Sequence, residues 1–229
     1  MSKKNTAATI ATIIVAVLAI ATTLFLLYQT SQQQIQDNQY NYVPSDEINE
    51  EMNMNAVTLI KNNCEVFRIY LQYGLPHQAE PYNNVPEDGY YTVKSDNYKT
   101  ISDIETLVNS TFVEKEAKRI LTNINGDNVA VYAEETDDDG NKGIGLDVSM
   151  IDENGRFKAI DYDYTWSNAK FTLHPKSNTE CDIIVELNPA EETSSAENAS
   201  SGSDDSNTKK VTANMLKVNG EWRLQKLVY

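Results

Sequence analysis

Val211-Thr-Ala-Asn-Met-Leu-Lys-Val218, Asn219-Gly220, Glu221-Trp-Arg-Leu-Gln-Lys-Leu-Val228: two β-rich runs flank a two-residue connection. A two-residue hairpin loop of type I′ needs positive φ at both central positions, and Asn-Gly meets that need at least cost. The end of the chain therefore reads as a β-hairpin. Working upstream from it, apolar residues keep a period of two in Cys181–Leu187, Ala169–His174, Phe157–Trp166, Gly145–Met150 and Val129–Ala133, which all read as strands. Asp137-Asp-Asp-Gly-Asn141 and Asp152-Glu-Asn-Gly155 are turn sequences between them.

Before Asn128 the period is different. Ile48, Met52, Ala56, Leu59, Ile60, Cys64, Phe67 and Leu71 recur at spacings of three and four, which predicts an amphipathic helix opened by Pro44-Ser45 and stopped by Gly74 and Pro76. Leu75–Gly89 carries three prolines and reads as a loop, followed by a short strand at Tyr90-Tyr-Thr-Val93. Two brief helices follow, each with a capping-box spacing: Ser102 with Glu105, and Thr111 with Glu114. Helices first and an antiparallel meander afterwards predict an α+β domain over 45–229. A curved antiparallel sheet wrapped around the helices, as in cystatin-like or NTF2-like domains, fits that order. Pro189–Thr208 is almost devoid of apolar side chains and reads as a disordered insertion at 189–208 between two strands.

The first 44 residues have another character. Ala7–Tyr28 is 22 residues without a charge, about 33 Å of helix against a hydrocarbon core of about 30 Å, and so reads as a transmembrane anchor at 7–28. Lys3 and Lys4 precede it and no Lys or Arg follows before Lys61, which predicts a cytoplasmic N-terminus at 1–6 and an extracytoplasmic domain. Ala19-Ile-Ala21 resembles a signal-peptidase site, but cleavage there would leave an apolar new terminus from Thr22 to Tyr28. Residues 29–44, rich in Gln and Asn, read as a flexible stalk.

Charge and composition narrow the function classes. The chain holds 34 acidic and 19 basic residues, a formal charge of −15, which argues against a nucleic-acid partner. Such a surface suits a cationic partner or simply keeps the domain soluble. No zinc site is expected, because His77 and His174 have no His or Cys at ligand spacing. Glu135-Thr-Asp-Asp-Asp-Gly-Asn141 fails as a calcium loop, since Leu146 stands where a bidentate Glu is needed. Asp161 and Asp163 alternate with Tyr162, Tyr164 and Trp166, which predicts an acidic face and an aromatic face on one strand. An Asp with Tyr donors could transfer a proton on a small ketone, but no His supports the pair, so no catalytic, cofactor or metal residues are assigned. Cys64 and Cys181 read as two buried thiols, a disulfide being the alternative outside the membrane. Asn109-Ser-Thr111 and Asn198-Ala-Ser200 match glycosylation sequons, from which nothing is drawn.

Tyr90-Tyr-Thr-Val-Lys-Ser-Asp-Asn-Tyr-Lys-Thr-Ile-Ser-Asp-Ile-Glu105, Thr111-Phe-Val-Glu-Lys-Glu-Ala-Lys-Arg-Ile-Leu121 and Asn219-Gly-Glu-Trp-Arg-Leu224 together resemble exported proteins of Gram-positive bacteria. They are similar to the family of secreted inhibitors of peptidoglycan DL-endopeptidases, whose members block cell-wall hydrolases by steric insertion. The resemblance implies a non-enzymatic binding protein with a cell-wall hydrolase as partner, and it assigns no inhibitory residues. The anchor and the 189–208 insertion depart from the family pattern. Two other classes stay open: an assembly subunit of a secretion or conjugation complex, and an enzyme with a ketosteroid-isomerase-like cavity.

Overall fold

The computed structural model describes residues 42–77, 89–127, 129–136, 140–190 and 208–229. The expected anchor, most of the expected stalk and nearly all of the expected insertion lie outside the described residues. Among the described residues, no helix is long and apolar enough to cross a membrane. Pro44–Tyr229 forms one compact unit.

That unit is α+β, with helices packed on a strongly curled antiparallel sheet. Helix α1 spans Asp46–Phe67 and continues as a π-helical turn, Arg68–Gln72. Ser45 caps it, with Asp46 and Glu47 in the first turn beside the positive end of the helix dipole. Strand β1 (Tyr90–Thr92) precedes helices α2 (Ile101–Thr111) and α3 (Glu114–Asn123). Then come β2 (Tyr132–Thr136), β3 (Lys142–Asp147), a 3-10 turn (Val148–Met150), β4 (Tyr164–Ser177), β5 (Glu180–Pro189), β6 (Lys209–Val218) and β7 (Glu221–Leu224). All five pairings between the named strands are antiparallel, and they group the strands into a three-stranded set ordered β1-β3-β2 and a four-stranded set ordered β4-β5-β6-β7.

The closing hairpin forms as its sequence predicts, with Asn219 at φ 53° and Gly220 at φ 87°. Elsewhere the boundaries move for physical reasons. The expected strand Phe157–Trp166 begins only at Tyr164 and runs on without a break through His174, so two expected strands are one. The expected Val129–Ala133 strand shifts to Tyr132–Thr136, where it pairs with Lys142–Leu146. Helix α2 opens at Thr100, two residues before the expected cap at Ser102. The Asp103 carboxylate accepts from both Lys99 N and Thr100 N, so those orphan donors are already used. The second expected box fails as well. Thr111 is buried and donates to Leu107 O at 2.7 Å, and α3 starts from Val113, whose N–H donates to Leu224 O.

The core sits between α1, α2 and α3 and the inner faces of the strands. Cys181, Ile183, Val185 and Leu187 of β5 point into it, together with Ala213 and Met215 of β6. Against them pack Met52, Ala56, Ile60 and Phe67 of α1 and Ile104 and Val108 of α2. Both thiols are free. Cys181 is core, whereas Cys64 is only half-buried.

Candidate functional site

The C-terminal end of α1 and the start of β4 enclose a groove of about 700 Å³. Each wall is built on a backbone irregularity. On one side the helix widens at Arg68–Gln72, where Tyr73 N–H donates to Arg68 O, five residues back. Such π turns are rare and gather at functional sites. The widening leaves carbonyls without a regular helical donor, and other elements supply them: Tyr132 Oη donates to Ile69 O at 2.6 Å, and Ile160 N–H donates to Leu71 O at 2.8 Å. The same Tyr132 hydroxyl accepts from Leu75 N. Gly74 then ends the turn at φ 67°, and a Cβ there would come within 2.5 Å of the Phe157 ring. Glycine is required at that point.

On the other wall, β4 breaks register with β5. Thr165 lies opposite Asn188 and Lys170 opposite Glu186, so Trp166, Ser167, Asn168 and Ala169 face Leu187 alone. This four-against-one bulge places Trp166 and Asn168 in the groove lining beside Tyr164, which still pairs with Pro189. Asn168 holds a left-handed φ of 58°, which Asn tolerates better than most residues. The bulge carries its own bonds: Asn188 Nδ2 donates to Ser167 O at 3.3 Å, and Ser167 N–H donates to Thr165 Oγ1 at 3.1 Å.

Aromatic side chains dominate the neighbourhood. Phe67 lies 4.9 Å from Tyr162 and stacks on Tyr229 at 5.4 Å, measured between ring centroids. Lys209 Nζ stands 5.0 Å from the Tyr162 centroid and 5.2 Å from that of Tyr164, a shared cation–π contact. Tyr73 is 63 % exposed at the groove edge. Arg68 contributes a guanidinium, but Glu65 accepts from it twice, at 2.7 and 2.8 Å, and receives Tyr98 Oη as well. The Arg68 bonds foremost hold the Glu65 carboxyl below the usual range. Burial pushes the Cys64 thiol up to about 12 and the Tyr162 phenol to about 12, so both stay neutral at physiological pH.

Two polar groups here are buried without a partner among the described residues, Trp166 Nε1 and Tyr162 Oη. Each costs about 1–3 kcal/mol relative to a satisfied group. Two irregular backbones and two orphaned polar atoms in one place are the mark of a site that gives up stability for another purpose.

The expected aromatic and acidic alternation holds: Tyr162, Tyr164 and Trp166 are half-buried, while Asp161 and Asp163 are exposed. Tyr162 and the two aspartates, however, precede β4 rather than lie within a strand. His77 lies on the far side of Gly74, its ring nitrogens 3.2 Å from Leu75 O and Gly155 O. His174 stands opposite Asp182 in the β4–β5 ladder, so the two histidines serve different elements. Among the described residues there is no group of three or more His, Cys, Asp or Glu side chains placed to hold a metal ion. Of the Glu135–Asn141 loop, Glu135 ends in β2 opposite Gly143, and Asp137–Asp139 lie outside the described residues. Asn109 is exposed on α2, and Asn198 lies outside the described residues. Sequence reasoning missed Arg68, Gln72, Tyr73, Asn168 and Asn188; the only signal was Ser167-Asn168, a polar pair interrupting an aromatic strand pattern. No protein-family model matches the chain, and no curated protein matches it in sequence.

Proposed function

We propose that this chain is a membrane-anchored extracytoplasmic binding protein that restrains a cell-wall DL-endopeptidase by occupying its substrate cleft. The domain is read as cystatin-like or NTF2-like, held off the membrane by residues 29–44 and anchored through 7–28. The observation that supports the reading most is the agreement between the resembling segments and the fold. Tyr90–Thr92 is β1, the second segment makes α3, and Asn219–Leu224 makes the closing hairpin turn and β7, all within one unit. The acidic connection from Glu135 to Asn141 is the element proposed to enter the hydrolase, steered by a basic rim on the partner.

The test is a digestion assay. Purified Pro44–Tyr229, in molar excess over a DL-endopeptidase, should slow the loss of peptidoglycan turbidity and should cleave nothing by itself. Replacing Asp137, Asp138 and Asp139 with Asn should lower the association rate and weaken its dependence on salt. Absence of inhibition across several wall hydrolases, with clear self-association of the domain, would replace this reading with the assembly-subunit one.

A further inference from the structure

We infer that the groove between the π turn and the β4 bulge is a binding site for a neutral oligosaccharide. This goes beyond the inhibitor reading and does not depend on it. The lining pairs ring faces with groups that both donate and accept. Tyr73, Tyr164 and Trp166 bring aromatic rings to the lining, and Gln72, Asn168 and Asn188 bring amides. A pyranose ring has the matching surface, with a patch of axial C–H bonds that packs on an aromatic face and a rim of hydroxyls that each donate and accept. At about 700 Å³ the groove falls in the range of about 300–1,000 Å³ typical of small-molecule clefts.

Charge selects against other ligand classes. Among the described residues, Arg68 is the one Lys or Arg in the lining, and its fork is already held by both oxygens of Glu65. Among the described residues no carboxylate lines the groove to receive a cation, and burial keeps the Cys64 thiol neutral. An anion would also approach a chain of net charge −15. The site is matched to an uncharged ligand. A peptide adding to the β4 edge would need a regular run of free N–H and C=O groups. The bulge interrupts that run, and Ser167 N–H and O are already engaged by Thr165 and Asn188.

Trp166 supplies the switchable contact. Its indole N–H is shielded and has no acceptor among the described residues, so a rotation of the half-buried ring that presents it to a ligand hydroxyl gains a bond and breaks none of those described.

The chain contains two tryptophans, and they make an internal control. Trp222 is buried and donates to Glu51 Oε1 at 2.9 Å, away from the groove. The full chain, labelled with fluorotryptophan and held in nanodiscs, is titrated by fluorine NMR with the tetramer of N-acetylglucosamine, with cellotetraose, and with a neutral tetrapeptide of Ala and Gln. The Trp166 resonance should move with at least one saccharide, saturating with a Kd of about 0.1–1 mM, while that of Trp222 stays still. Trp166→Phe keeps the ring face and loses the N–H. Followed by the quenching of Tyr fluorescence, it should bind about 5- to 10-fold more weakly at a melting temperature no lower than the parent's. Equal movement of both resonances, movement with the peptide alone, or no movement with either saccharide would overturn the assignment.

Discussion

Helix α1 and the π turn that continues it meet opposite kinds of surroundings. Before the π turn, Glu51 and Asn63 reach the sheet and the last residues and find partners there. Glu51 accepts from Trp222 Nε1 at 2.9 Å and pairs with Lys217 at 2.5 Å, and the Lys217 ammonium lies over the Trp222 ring. Immediately before Cys64 at the groove, fully buried Asn63 donates to Val228 O at 2.8 Å and accepts from Val228 N at 3.0 Å, as if it were one more residue of a strand. Glu116 of α3 takes Leu227 N–H in the same way. A few residues further along, the helix widens, the facing strand bulges, and an indole N–H and a phenol go unpaired. The difference shows where the fold places its stability and where it keeps a surface unfinished.

Three substitutions in the satisfied part should cost the most. Trp222→Ala empties a site that is 2 % exposed and strips Glu51 of a donor, so urea unfolding should register a loss of about 3–5 kcal/mol. Trp222→Phe removes only the bond to a charged acceptor, at about 1.5–3 kcal/mol. Asn63→Ala leaves the Val228 N–H and C=O without their partners and should cost about 2 kcal/mol. A loss below about 0.5 kcal/mol at Asn63, within the noise of an ordinary surface change, would show that water replaces the side chain and that the contrast is overstated.

Acid should weaken the same part. Burial opposes ionisation of Glu116, but the Arg119 guanidinium and the Leu227 N–H outweigh it and leave its pKa below 4.5. Glu51 is lowered chiefly by its bond to Lys217. Because the folded pKa values lie below the unfolded ones, this stability is complete above about pH 4.5 and is lost as pH falls through the folded values. Glu116→Gln keeps an acceptor for Leu227 but loses the ion pair. It should cost about 1 kcal/mol at pH 7 and reduce the further loss between pH 5 and pH 3, as read by urea midpoints. An acid limb as steep as the parent's would remove Glu116 from that account.

The closing hairpin and the apolar face of α1 were legible in the sequence, and the polar contacts and the groove were not. Asn219-Gly220 and the three- and four-residue spacing in α1 are local signals, decided by φ preference and by which face is apolar. The π turn depends on Tyr132, 63 residues away, and on Ile160, which donate to its carbonyls; no pattern inside Arg68–Gln72 announces them. Likewise the β4 bulge is a mismatch with β5 across the sheet. Periodicity alone divided it into two strands, Phe157–Trp166 and Ala169–His174. The capping boxes erred for a related reason. Thr100 with Asp103 and Ser102 with Glu105 have the same spacing, and the sequence alone does not rank them.

The smallest expected effect has the opposite sign and tests the contrast most directly. Trp166→Phe deletes the same N–H that Trp222→Phe deletes, but here the group is shielded and unpartnered. Removing it takes away a desolvation cost and breaks no bond, while the phenyl ring keeps most of the packing beside Tyr164 and Asn168. The variant should be as stable as the parent or more stable by up to about 1 kcal/mol. Measured side by side in urea, Trp166→Phe and Trp222→Phe should therefore move the midpoint in opposite directions or differ by at least about 1.5 kcal/mol. Equal losses at the two positions would mean that Trp166 Nε1 is satisfied in solution, and the groove would then lose its claim to be the unfinished surface of the fold.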